Sequence, residues 1–455
     1  MGGVDAELRA ASMGGRNGAR SAPSTLELGA RLKLSSPEER EVFSHNPSHR
    51  MPIPVLILLL GLLLTQVNPA SGVEFPVHIE RGEFVDAAGR PFVPRGFNYI
   101  RLFPGRSHDT FDPEHYDPDT IERVLQRWQT DGFNLVRVFL NGYAHLQGSI
   151  AHRDVPGLDA AYVRNVADFL VRARRHGIAV MICAESFPRT APYAQGLHVP
   201  EKVSSANAEY LDIAHVEAKA AYLQDLIRKL SEAQPGCLEA VFSYDLQNEL
   251  CFQVSEPFAN VSGAFIGAEG KHYQLPGQRQ ELADDAAVHF IDRMADSIHQ
   301  VHPKGLVNVS VFTYRAVGRS GPGDFQVKKA AWQNRIPVRP MAILRSKADI
   351  VDLHLYPGDE QAFESDLASI EFSALTDRAK ELGKPVIVGE FGVFKSRFPE
   401  LPAAATWIGE MTSRIAERGF AGWLYWTYDT HEQDSELWHA CDGESAIYQI
   451  LKSRR

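Results

Sequence analysis

The chain has 455 residues, 44% of them hydrophobic and 23% charged, with a formal net charge of −10. That is ample apolar material for a large folded domain, and the wrong sign for nucleic acid or an anionic membrane as its main partner. Its four cysteines (Cys183, Cys237, Cys251, Cys441) make neither a disulfide framework nor a Cys-x-x-Cys metal spacing.

Residues 1–50 are rich in Gly, Ser, Ala and Arg without a sustained apolar period. They read as a disordered extension, or as a stretch wrongly included upstream of Met51, where a signal peptide would begin. In "RMPIPVLILLLGLLLTQVNPASG", Arg50 supplies a positive flank, Val55 to Leu64 an apolar run, and Ala70-Ser71-Gly72 a small-x-small cleavage pattern. The run falls short of the about 20 apolar residues that span a bilayer. Residues 51–72 are therefore expected to be a signal peptide, which makes the protein secreted or periplasmic with no stable membrane association. A retained membrane anchor is the alternative.

From residue 73 onward, "FPVHIERGEFVDAAGRPFVPRGFN" alternates like an N-terminal β-hairpin, with a turn at Asp86 to Gly89. One unit then recurs, an apolar strand followed by a loop and a helix of 3.6-residue spacing. Strands are expected near 92–98, 134–140, 178–184, 240–246, 306–312, 350–356, 385–391 and 421–427. Helical patterns lie between them at Thr120 to Gln129, Ala160 to Arg175, Ala208 to Ala233, Asp284 to Val301 and Ala403 to Glu417. Eight strands alternating with helices predict an α/β fold, a (β/α)8 TIM barrel over residues 73–455. Helix-to-strand links are short, and most carry a glycine stop (Gly132, Gly177, Gly236, Gly305, Gly383, Gly419). The long strand-to-helix loops, notably 185–206, 251–283, 313–340 and 428–436, gather at the C-terminal mouth, where such barrels build their sites. Cys237 and Cys251 flank one strand and so lie too far apart to bridge; Cys183 reads as core, and a Cys251–Cys441 bond is left open.

Two segments place a glutamate at the end of an apolar run: Glu249 in "YDLQNELCF" and Glu390 in "PVIVGEFGVF". On the fourth and seventh strands, both face the same mouth. A carboxylate pair across a cleft suits glycoside hydrolysis, one member acting as acid and the other as nucleophile or base. His354 has no second His or Cys at ligand spacing, so no metal or other cofactor is expected. Trp423 and Trp426 have opposite strand parity, and Trp423 is expected to pack outward against helices. Glu185, just past the third strand, is a lesser candidate for touching substrate.

"GFN" at 96–98, Arg137 in "NLVRVFL", "QNE" at 247–249, "HLY" at 354–356, "GEFG" at 389–392 and "WLYW" at 423–426 fall in the order and on the strands of glycoside hydrolase family 5. The chain resembles this cellulase and mannanase family over about residues 75 to 452. The resemblance implies a retaining β-glycosidase acting on a polysaccharide or oligosaccharide of β-1,4-glucan or β-mannan type. It makes Glu249 the acid/base and Glu390 the nucleophile. Asn248 would hold the sugar 2-hydroxyl, Arg137 and Tyr356 would flank the nucleophile, His354 would join the sugar-binding wall, and Trp426 would form the floor. Asn98 of "GFN" completes the substrate-binding set. An ionised nucleophile wants a guanidinium close by, whereas the acid wants apolar surroundings and a like charge to keep its proton. Many cellulases of the family carry Asp-x-His at the end of the third strand, where this chain has "CAES", and "HLYPGDE" leans slightly towards the mannanase branch. A monomer is expected. A barrel that binds carbohydrate without cleaving it is the alternative from another class.

Overall fold

Eight parallel strands close on themselves in the computed structural model, which describes residues 72–454 apart from 100–108, 143–147, 153, 186, 368–369, 430–434 and 442–444. In chain order they are β1 (Arg95–Asn98), β2 (Leu135–Phe139), β3 (Ala179–Cys183), β4 (Val241–Asp245), β5 (Val307–Phe312), β6 (Ile350–Leu355), β7 (Val386–Phe391) and β8 (Trp423–Tyr425). Each pairs with the next, and β8 closes the ring on β1 through Trp423 opposite Arg95. Each of these eight strands falls within its predicted range. The extension and all but the last residue of the predicted signal segment lie outside the described residues.

The strands read as apolar runs because both faces are buried. Val136 and Val138 pack outward under the helices, while Leu135 and Arg137 alternate inward. The barrel is filled in layers. Leu135, Ala179, Met181, Ile350, Ile387 and Leu424 form an apolar floor. Phe84 and Phe92, from the N-terminal segment, close it from below against Phe242. Above the floor lies a polar layer of Asn98, Arg137, Asp245, Asn308, Ser310 and Asp352, all fully buried. Gly96 has to be glycine: a Cβ there would stand 1.7 Å from the Leu135 carbonyl oxygen, on backbone that has no room to yield.

Helices Pro118–Asp131, Ala160–Arg175, Ile213–Ala233, Arg279–Val301 and Leu401–Glu417 surround the ring. Asp117, Asp159 and Asp212 cap three of them, each accepting a backbone N–H of the first turn. The predicted 208–233 helix is broken at Asp212, whose extended backbone ends one helix and caps the next. The N-terminal hairpin also differs from expectation. Its strands, His78–Glu80 and Glu83–Val85, turn at Arg81-Gly82, where both residues have positive φ. The Asp86–Gly89 turn leads only to a single bridge between Val85 and Pro91. Two long mouth loops carry strands of their own: Gly263–Ile266 pairs with His272–Leu275, and Cys251–Gln253 pairs antiparallel with Arg335–Pro337. All four cysteines are free thiols. Among the described residues, no helix is long and apolar enough to cross a membrane.

Candidate active site

Arg137, on β2, is the hub beneath the mouth. Its side chain is fully buried, and its guanidinium donates to Asp245 at 2.7 and 3.0 Å, Asn98 at 3.0 Å, Glu390 at 3.1 Å and Asn248 at 2.8 Å. It lies 4.4 Å above the Phe139 ring. A buried guanidinium is tolerable only when its donors are met, and its fixed fork orients four residues from three strands and one loop at once.

Two local irregularities bring the carboxylates together. Along β7, Ile387 and Gly389 face the barrel interior, so simple alternation would turn Glu390 outward. The β6–β7 register slips between Leu353 and His354, and beyond the slip His354 pairs with Glu390, both turned into the mouth. The slip sits at Gly389, where Asp352 accepts the backbone N–H at 2.8 Å and a Cβ would meet that carboxylate at 2.1 Å. Glu249 lies beyond the end of β4 rather than on it, in a turn with φ of 51°, a left-handed backbone that non-glycine residues rarely adopt. Ser310 holds this turn: its hydroxyl accepts the Glu249 N–H at 2.9 Å and donates to the Gln247 carbonyl at 3.1 Å. The buried Lys219 ammonium steadies the same segment by donating to the Gln247 side chain, the Glu185 carbonyl and Glu209.

An oxygen of Glu249, a ring nitrogen of His354 and an oxygen of Glu390 all lie within 4.8 Å of one another. The His354 Nδ1 faces Glu249 at 3.3 Å and Glu390 at 3.4 Å. Tyr356 donates its hydroxyl to the other Glu390 oxygen at 2.6 Å, and Arg335 donates to Glu249 at 2.7 Å. The three converging side chains are close enough to surround a small cation, but each carboxylate already carries a guanidinium, and a dication would be repelled by both.

The electrostatics differ from what the sequence suggested. Burial pushes Glu249 up, but hydrogen bonding and charge from His354 and Arg335 outweigh it, and its pKa falls to about 2. Glu390 moves the other way: burial raises it, the nearby Glu249 charge adds to this, and His354, Arg137 and Tyr356 only partly offset them. The apolar surroundings expected for the acid are absent from Glu249. The two carboxyls lie close enough to titrate as a unit, so the two steps belong to the pair together. His354 is raised despite its burial, by the two carboxylates it touches.

The other predicted residues fall around this pair. Trp426 is buried, with its ring edge-on to Phe139 at 5.9 Å, in a cluster with Tyr356, Cys183 and Leu437 that walls the mouth beside Glu390. Trp423 packs outward against Phe133 and Phe391. Asn98 sits one layer deeper than a sugar contact would, donating to the Gly389 and Tyr425 carbonyls and accepting from Arg137. Asn248 accepts from Arg137 at the base of the mouth. Sequence reading passed over Asp245, Lys219 and Arg335. Asp245 left a trace, a lone charge inside the apolar run "VFSYDL". Arg335 left none, because only the pairing of two loops brings it to Glu249.

The family profile of Cellulase (glycosyl hydrolase family 5) matches residues 85–432. No curated protein matches the chain. Among solved structures, the endo-1,4-β-mannanase from Rhizomucor miehei is similar at 14% identity and a TM-score of 0.55, over 83% of this chain and 99% of that one. The exo-β-1,4-mannosidase from Opitutaceae bacterium strain TAV5 is 18% identical with a TM-score of 0.54, over 83% and 62% of the two chains. The endo-β-1,4-mannanase from Thermotoga petrophila is 17% identical with a TM-score of 0.53, over 80% and 77%. At these identities the structures speak for the barrel fold alone, but the family profile spans most of the chain, and with the paired carboxylates at the mouth it makes this protein a glycoside hydrolase belonging to glycosyl hydrolase family 5.

Proposed function

We propose that the protein is a retaining β-glycosidase that cleaves β-1,4-linked mannan-type polysaccharide. The observation that carries the retaining part is the approach of Glu249 to Glu390, with oxygens within 4.8 Å of each other. Retaining enzymes hold their carboxyl groups about 5–5.5 Å apart, whereas inverting enzymes need about 6.5–9.5 Å to admit a water. Glu390 attacks the anomeric carbon. As that bond forms, the glycosidic bond breaks, its electron pair goes to the departing oxygen, and that oxygen takes a proton from Glu249. Arg137 and Tyr356 fix the two Glu390 oxygens for the attack. Glu249, now a carboxylate, then draws a proton from water, which attacks the same carbon and frees Glu390. The mannan preference rests on the activities named for the similar structures and on "CAES" standing where many cellulases of the family carry Asp-x-His.

Defined β-1,4-manno- and β-1,4-gluco-oligosaccharides, followed by proton NMR, test both parts. Cleavage of the manno series with the β-anomer appearing first is the expected result. An α-anomer first would overturn retention, and cleavage of the gluco series alone would overturn the substrate class. Glu249→Ala separates the roles of the pair. Natural oligosaccharides should be cleaved about 10² to 10⁴ times more slowly, while an activated aryl glycoside still forms the glycosyl-enzyme, which azide releases as the β-azide. A β-azide from the Glu390 variant instead would reverse the assignment.

Export is part of the same proposal, on the strength of the apolar run Val55 to Leu64 and the small residues at 70–72. The extracellular chain is expected to begin just after that site; an intact Met51 at its N-terminus would contradict cleavage.

A further inference from the structure

Glu249 is held where it is by a residue from a distant loop. Arg335 begins the strand Arg335–Pro337, which pairs with Cys251–Gln253, so the chain immediately after Glu249 and the chain carrying Arg335 are tied by one antiparallel ladder. The arm is held by its own internal contacts. The buried Arg319 guanidinium gathers the loop by donating to the carbonyls of Arg335, Gln333, Asp324 and Gln326. The Arg335 guanidinium lies 5.3 Å from the centre of the Phe312 ring and donates to the Trp332 carbonyl at 3.4 Å and to Glu249 at 2.7 Å. Its side chain is 35% exposed and that of Glu249 20%, so the ion pair faces the open mouth.

With Oε2 of Glu249 taken by Arg335 and Oε1 facing His354, both oxygens of the acid/base are already engaged. A carboxylate in that state accepts hydrogen bonds and has no proton to give. Resting on the glycosidase reading above, we propose that Arg335 is a positioning residue on the leaving-group side: its ion pair with Glu249 holds the acid/base in the free enzyme and opens when the leaving-group sugar enters. The sugar hydroxyls then accept from the guanidinium, which is exposed enough to meet them, and Glu249 takes up one proton from solvent. The other groups facing Glu249 stay in place through this exchange. They are His354 on β6, Glu390 on β7, Tyr356 just beyond β6 and the Cys251 thiol on its own segment. Among the described residues the Arg335 contact is the one on the solvent side, and so it is the contact a ligand can replace.

The pH dependence of the full-length enzyme on the oligosaccharide it cleaves best tests this. The limb that Glu249 sets reports the free enzyme in kcat/KM and the complex in kcat. In the wild type the kcat limb should lie above the kcat/KM limb. In Arg335→Gln the neighbouring cation is gone, Glu249 keeps its proton to higher pH, and the kcat/KM limb should rise by about one pH unit or more to meet the kcat limb. Arg335→Lys, which keeps the charge, should restore part of the gap. Coincident limbs in the wild type, or a gap unchanged in Arg335→Gln, would overturn the proposal while leaving the glycosidase reading intact. Carbon-13 titration of glutamate-labelled chain, with the Glu249 signal identified by its loss in Glu249→Gln, needs neither activity nor a folded Arg335 variant. A Glu249 carboxyl that titrates in the ordinary carboxylate range or above in the wild type would equally sink the idea. Absence of any cleavage by the wild type would count against the glycosidase reading instead, and the titration would still decide on the ion pair.

Discussion

Replacing Glu390 by alanine is expected to lower turnover on the order of 10⁴-fold or more, on natural oligosaccharides and activated aryl glycosides alike. An activated leaving group relieves the need for an acid but not for a nucleophile, so loss on both substrates is what distinguishes this position from Glu249. The fold should survive. Removing Glu390 takes away one of several partners of Arg137, whose contacts to Asp245, Asn98 and Asn248 persist. Steady-state kinetics on both substrates, with a melting curve as control, check it. An aryl-glycosidase rate near that of the wild type in a folded Glu390→Ala protein would place the nucleophile elsewhere. Azide offered to this variant should yield the inverted α-azide.

Arg137→Met is expected to act on stability and on chemistry together. The substitution approximates the shape of the aliphatic stem but leaves the Asp245 carboxylate, fully buried, without its guanidinium. Breaking a buried ion pair from one side destabilises by about 3–5 kcal/mol, which should lower the melting temperature markedly. On the chemistry the sign is as follows. Glu390 is already raised by burial and by Glu249, with Arg137 among the groups that oppose the rise. Removing that cation disfavours the ionised nucleophile further, so the acid limb of the kcat profile, which Glu390 sets in the complex, should move upward. Arg137→Lys keeps the charge but offers a single donor group in place of the fork, and should recover the limb better than the melting temperature. A folded Arg137→Met enzyme with an unmoved acid limb would remove Arg137 from the support of Glu390.

The two arginines act on the carboxylates from opposite sides. Arg137 reaches Glu390 from below and is closed to solvent, whereas Arg335 reaches Glu249 from the mouth and is partly open to it. A buried partner is out of a ligand's reach, whereas an exposed one can be exchanged for a ligand's hydroxyl groups.

What the sequence determined by itself is what repeats or lies on one strand. The eight apolar runs and the glycine stops between helix and strand specify the barrel, because a fully buried parallel strand can hardly be written any other way. Arg137, Glu249, His354, Tyr356, Glu390 and Trp426 were legible as polar or aromatic residues near the ends of those runs. The tertiary structure decided what depends on contacts between segments far apart. Strand parity alone would have turned Glu390 away from the mouth, and only the register slip at Gly389 turns it in. The partner that holds Glu249 was not legible either, since nothing in the sequence around Glu249 points to an arginine 86 positions downstream. Charges act through space with a reach of several ångströms and take no account of chain separation. A residue's identity and parity can therefore be read along the chain, whereas its ionisation is set by whichever loops fold back over it.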